Sequence, residues 1–163
     1  MSNTLKILTI ENPKEEKILR KVSNYVNIDE IKSESFHKFL DQLLQTAVSS
    51  EKLVGVQSAG ISAPQVGRNV RVFYILDNDR EEFELFINPE VTILNMRQEE
   101  DYEGCLSVPN VEEIVPRYKK IKVSYIDRDG KKQKKIFKGI EAREIQHELD
   151  HLDGILFIDR ISE

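Results

Sequence analysis

The heptapeptide I-Q-H-E-L-D-H at residues 145–151 restricts this chain more than any other stretch. Two histidines four apart can meet one ion when the backbone between them makes a turn of α-helix, because residues i and i+4 stack on one helical face. His147 and His151 therefore call for a helix, and Glu148, beside the first of them, puts a carboxylate within reach of the same ion. A catalytic centre of this kind keeps three protein ligands and one open position. The third ligand has to come from another part of the chain, and the fold has to carry it to this helix.

The remaining pattern indicates what surrounds that helix. "LKILTI" (5–10) reads as a short strand, followed by a turn and a basic segment of unassigned conformation. From Asp29 to Lys52, Ile31, Phe36, Leu40, Leu43, Leu44 and Ala47 recur at three- and four-residue steps, which predicts one amphipathic helix. The small-residue stretch 55–67 reads as a loop that lets backbone approach something closely. The runs 70–76, 83–87 and 90–94 are strand-like, separated by "DNDREE" and by an Asn-Pro turn. Two further runs flank Asp129-Gly130, a hairpin signal. The metal-binding helix then opens at Gly139 and stops at Gly154. The expected class is α+β, with antiparallel strands packed around a C-terminal metal-binding helix and an amphipathic helix near the N-terminus.

At 163 residues the chain predicts a single catalytic domain over 1–163. A net charge of −5 leaves no basic footprint for DNA. No apolar run approaches the ~18 residues of a membrane span, and no signal-peptide core is present, so a cytoplasmic protein is expected. The one cysteine, Cys105, excludes an intramolecular disulfide and suits a reducing compartment.

Downstream of the helix the third ligand is missing. A metzincin-type extension needs histidine where Phe157 stands, and a thermolysin-type site needs a later glutamate, for which only Glu163 remains. Upstream, Cys105 is the candidate, since a thiolate suits zinc or ferrous iron. A lone cysteine is more often a small buried hydrophobe. Its neighbours "YEGCLSVP" reverse that weighting.

"EGCLS" (103–107), "QHELDH" (146–151) and "SAGISAPQVG" (58–67) together resemble, in order and spacing, the three motifs of the peptide deformylases. The similarity extends through "VPR" (115–117), "DRDGK" (127–131) and "HLDGILF" (151–157). The resemblance implies an enzyme that removes the N-formyl group from the initiator methionine of nascent chains and releases formate. It implies that Cys105, His147 and His151 hold one divalent metal, with ferrous iron expected and zinc, nickel or cobalt able to take the site. Glu148 would be general base and acid, with Gln65 and the backbone N–H of Leu106 stabilising the oxyanion. Ala59, Gly60, Ile61, Glu103, Gly104 and Glu144 would line the substrate pocket, and Glu103, Arg117 and Gln146 would support the ligands.

The chain departs from the family pattern at Ser58, Ala59, Ser62 and Glu144. These changes raise two alternatives: altered side-chain or acyl preference, or an inactive metal-binding nascent-chain binder. Glu144 lies three residues before His147, and its plainest reading is a side chain that reaches water or pairs with a lysine. The basic run Lys131–Lys138 reads as a solvated hairpin strand, with transient ribosome contact as the other partner weighed for it. A monomer is expected.

Overall fold

The computed structural model describes residues 3–162. Its centre is a five-stranded antiparallel meander in the order β1 (Gly60–Ser62), β2 (Val72–Asp77), β3 (Glu82–Cys105), β4 (Val108–Ile126) and β5 (Lys132–Lys138). Helices α1 (Pro13–Leu19), α2 (Ile28–Ile31), α3 (Glu34–Val48) and α4 (Ser50–Val54) precede the sheet, and α5 (Gly139–Leu152) follows it.

Strand β2 shows how the sequence builds two cores. Successive strand residues face opposite sides of a sheet, and in β2 all of Val72, Phe73, Tyr74 and Ile75 are buried. Val72 and Tyr74 join Phe36, Leu40 and Leu43 of α3 on one face. Phe73 and Ile75 join Phe86, Val123, Ala142 and Ile145 on the other, under α5. The sheet is therefore held between the amphipathic helix and the helix of the histidine motif. A smaller cluster of Val108, Val115, Leu156 and Phe157 packs the tip of the β3–β4 hairpin.

Four sequence expectations are corrected. Residues 5–10 form no strand; Leu8 N–H donates to the Gln65 carbonyl (2.7 Å) and Ile10 N–H to the Ser107 carbonyl (3.0 Å). Alternate residues of this strap bind two different segments, so no single ladder can form. The segment after it is a helix, α1, started by Asn12, whose side chain accepts the Lys14 N–H, and by Pro13 in the first helical position. The helix expected over 29–52 is three: Ser33 Oγ accepts the Phe36 N–H (3.2 Å) and starts α3 afresh, and a break at Ser49 separates α4. A cap this strong inside an apolar period overrides the period.

The Asn-Pro pair at 88–89 makes no turn, because β3 runs straight through it. Asn88 takes a positive φ of 50° at a register shift between Ile87 and Glu90, a bulge that absorbs one extra residue on β3. The Asn88 side chain also exchanges hydrogen bonds with both backbone groups of Val26 (2.8 and 2.9 Å). Part of the expected 55–67 loop is ordered as β1 and a 3-10 turn at Ala63–Val66. The expected stop of α5 holds: Gly154 has φ 73°, and any side chain there would strike the Arg20 carbonyl.

Candidate active site

Three parts of the chain converge beside α5. Cys105 ends β3 at the hairpin tip, His147 and His151 stand one turn apart on α5, and Gln65 lies in the 3-10 turn after β1. Cys105, His147 and His151 each offer a ligand atom within 4.8 Å of the others. The Cys105 Sγ to His151 Nε2 distance is 3.3 Å, and the two imidazole centroids are 5.1 Å apart. Both histidines are buried. A thiol and two imidazoles drawn together with no apolar filler between them fit a divalent cation of the zinc or ferrous class.

Behind the histidines lies a buried ionic network. His147 Nδ1 is 2.9 Å from Glu103 Oε1, which fixes the ring and leaves its other nitrogen for the cluster. Arg117 grips Glu103 with two bonds, Nε to Oε2 (2.8 Å) and Nη2 to Oε1 (2.9 Å), and reaches Asp150 Oδ2 at 2.6 Å. Arg143 adds a bond to Glu103 Oε2 (2.7 Å), and Arg160 pairs with Asp150 through two more (2.6 and 2.9 Å). Burial alone would raise the Glu103 carboxyl, but the Arg117 guanidinium and His147 overcome it and hold the pKa down at about 2.

Glu148 has the opposite environment. It is 2% exposed, and its Oε2 has no hydrogen-bond partner among the described residues. Burial pushes its pKa up, with His147 opposing and the charge of Glu144 adding, to about 8. The carboxylate can sit this deep because residue 60 is glycine: a Cβ there would lie 2.9 Å from Glu148 Oε1.

Gln65 is oriented from both ends. Its Oε1 accepts the Ser62 N–H (3.0 Å) and the Ser62 hydroxyl (3.2 Å). This turns Nε2 toward Cys105 Sγ (3.6 Å) and Ser107 Oγ (3.1 Å). Leu106 lies in the tight turn after Cys105, and its N–H donates to no group among the described residues. Gly60 and Ile61 are buried in β1, Ala59 is half-buried before it, and Gly104 is exposed beside Cys105.

Gln146 is the supporting residue that the structure places elsewhere. Its amide exchanges bonds with both backbone groups of Tyr118 (2.8 and 3.0 Å) and so fastens α5 to β4, with no bond to a histidine or to Cys105. Glu144 is half-buried, so part of its side chain reaches solvent, and it pairs with no lysine and no other side chain among the described residues. Burial raises its pKa, with His147 the main opposing influence.

Sequence reasoning missed Arg143, Asp150 and Ser107. The first two carry a usable signal, since positions 143, 147 and 150 recur at helical spacing on the face of the histidines. Ser107 carries none: its bond to Gln65 depends on how two distant segments meet.

A family model described as polypeptide deformylase matches residues 4–163. A peptide deformylase of Treponema pallidum is 44% identical over 126 residues, 76% of each chain. That of Fusobacterium nucleatum is 36% identical over 147 residues, 90% of this chain and 80% of the other. Among solved structures, the Thermotoga maritima peptide deformylase superposes with a TM-score of 0.84 at 32% identity, covering 98% of this chain and 99% of that one. A class I type b peptide deformylase from Acinetobacter baumannii with Met-Ala-Ser bound gives a TM-score of 0.85 at 31% identity, over 99% of this chain and 100% of that one.

Proposed function

From the premise that the chain belongs to the polypeptide deformylase family, and so is an enzyme that removes the formyl group from nascent chains, we propose how its residues divide the work. The observation that carries the assignment is Glu148: a buried carboxyl with a free oxygen, next to a convergent Cys105–His147–His151 set. Those three residues hold the divalent metal that the family implies, which when bound supplies an activated water and a positive charge beside the formyl oxygen.

Glu148 takes the proton of the attacking water as its oxygen bonds to the formyl carbon. It later returns that proton to the departing amine as the C–N bond breaks, leaving formate and a free N-terminus. Burial raises the proton affinity of this carboxyl above that of an ordinary exposed glutamate, which suits a group that must both accept and return a proton. Gln65 Nε2 and the Leu106 N–H donate to the formyl oxygen as it gains charge. Glu103, held by Arg117, keeps the His147 ring in one orientation.

Ferrous iron is the proposed metal, with zinc, nickel and cobalt as substitutes the donor set accepts. The substrate is an N-formylmethionyl peptide, and the pocket is assigned to Ala59, Gly60, Ile61, Glu103, Gly104 and Glu144. Residues 1–163 act as one catalytic domain, a monomer working in the cytoplasm, with any ribosome contact transient and through the basic run 131–138. Among the described residues no helix is long and apolar enough to cross a membrane.

The decisive experiment measures formate release from a short formyl-Met peptide by protein loaded anaerobically with ferrous iron, beside Glu148→Ala. Loss of at least about a hundredfold in rate with metal content retained is the expected result. Equal rates would remove Glu148 from the mechanism.

The unpaired carboxylate of Glu144, one turn before His147, supports a second reading in which side-chain preference is altered. Turnover of formyl-Met, formyl-norleucine, formyl-Ala and formyl-Lys peptides distinguishes the two. A strong ordinary preference for Met rules the second out.

A further inference from the structure

Strand β1 is an edge strand, with β2 on one side and, among the described residues, no strand on the other. Its register is Gly60↔Ile75, Ile61↔Tyr74 and Ser62↔Phe73, and the Leu76 N–H donates to the Ala59 carbonyl at 2.8 Å. Antiparallel pairs alternate between bonded and non-bonded, so this one bond sets the phase. Ala59 and Ile61 bond to β2, while the N–H and C=O of Gly60 point to the open edge.

That edge adjoins the reacting carboxylate, since a Cβ on Gly60 would come within 2.9 Å of Glu148 Oε1. An open strand edge recognises an extended peptide through main-chain hydrogen bonds. Yet both outward groups of Gly60 are already engaged by one side chain. The Gly60 N–H donates to Ser58 Oγ at 3.1 Å, and the Ser58 hydroxyl donates to the Gly60 carbonyl. Ser58 is itself 6% exposed, and its own N–H is anchored to the buried Ser50 Oγ at 2.8 Å. With the backbone pinned, a turn about χ1 is the movement by which the hydroxyl would leave Gly60.

We propose that the Ser58 hydroxyl is a built-in cap on the substrate-facing edge of β1, occupying the N–H and C=O of Gly60 until an extended peptide main chain displaces it. The inference rests on the deformylase reading, because it takes a peptide as the occupant. Local serine-to-backbone bonds compete with ladder bonds in this way. Every peptide that pairs at Gly60 exchanges bonds the protein already has for new ones, so its affinity is lower than the edge alone would give. Ser58 is thus a residue that sets peptide affinity without touching the formyl group.

The test compares metal-loaded wild type, Ser58→Ala and Ser58→Thr in binding of Met-Ala-Ser by calorimetry, beside thermal stability. With alanine the peptide binds about three- to tenfold tighter, the scale of one net hydrogen bond. The same variant melts lower, because the free protein has lost its cap. Threonine, which keeps the hydroxyl, restores the wild-type Kd. A purely structural serine gives a lower melting point with unchanged or weaker binding, and that result overturns the proposal.

Should Ser58→Ala not fold, amide exchange in the wild type decides the point. The Gly60 N–H is protected in the peptide-free protein, and fast exchange there refutes the cap. Formate release by wild type with an unchanged Kd in Ser58→Ala rejects this inference alone. A wild type that neither releases formate nor binds the peptide rejects the deformylase reading and the cap with it.

Discussion

Glu103 and Glu148 are neighbours across His147, yet the fold drives their carboxyls in opposite directions. Both are buried; what separates them is partners, two guanidiniums and an imidazole for Glu103 against a free oxygen for Glu148. The Glu103 shift makes a stability prediction with a definite sign. Its pKa falls from 4.5 to about 2, so its contribution is complete above about pH 4.5 and is lost as pH drops toward 2. Chelated protein removes the confounding release of metal in acid. In urea titrations from pH 6 to pH 2.5, the stability gap between wild type and Glu103→Gln is flat down to about pH 4.5 and narrows below it; a gap that stays constant to pH 2.5 contradicts the assignment. For Gln65→Ala, the proposed role predicts that kcat falls by about a hundredfold while KM moves little, since an oxyanion donor acts on charge that develops only during reaction. The convergence of Cys105, His147 and His151, the position of Glu148 beside them and the Glu103–Arg117 pair were legible because each residue sits in a motif with its own chemistry. The Ser62 hook on Gln65 was not, because Ser62 read only as a departure from a pattern.

Elements were legible where a period and its stop signals agreed. Helix α5 has a glycine at each end and histidines one turn apart, and its expected bounds hold almost to the residue. The 29–52 period failed because it records only which face is apolar, and Ser33 and Ser49 break the backbone without breaking that face. Replacing Ser33 by alanine costs about 1 kcal/mol of stability, measurable as a lower urea midpoint with unchanged m. The contact between β1 and α5 is more demanding. A methyl group at position 60 meets Glu148 Oε1 and Ile75 Cδ1 at 2.9 Å and the Tyr74 carbonyl at 3.1 Å. Gly60→Ala therefore displaces the carboxylate and the strand together, with roughly 1–3 kcal/mol lost to overpacking and a far larger relative loss of formate release. Full activity in a folded Gly60→Ala protein contradicts this close approach.

Across the whole molecule, a sheet packed on both faces fixes α5, while Cys105 of β3 arrives at the end of a long hairpin. A cation bound by Cys105, His147 and His151 thus adds a further join between α5 and the end of the hairpin, beside the ionic network, the Gln146–Tyr118 bonds and the cores on either side. At free metal about a hundredfold above Kd the stabilisation is ~2.7 kcal/mol, a melting rise of roughly 5–10 °C for a chain of this size. Calorimetry before and after chelation checks this, and equal melting points would show that the cation is no staple. The joining of β3 to α5 also has a consequence in time. Cys105 and His151 are 46 residues apart in the sequence. At synthesis rates of about 5–20 residues per second the thiol is made roughly 2–9 s before its last imidazole partner. Every newly made copy therefore passes through an interval in which its cysteine exists without a centre to join, and acquires its metal only after α5 has been made.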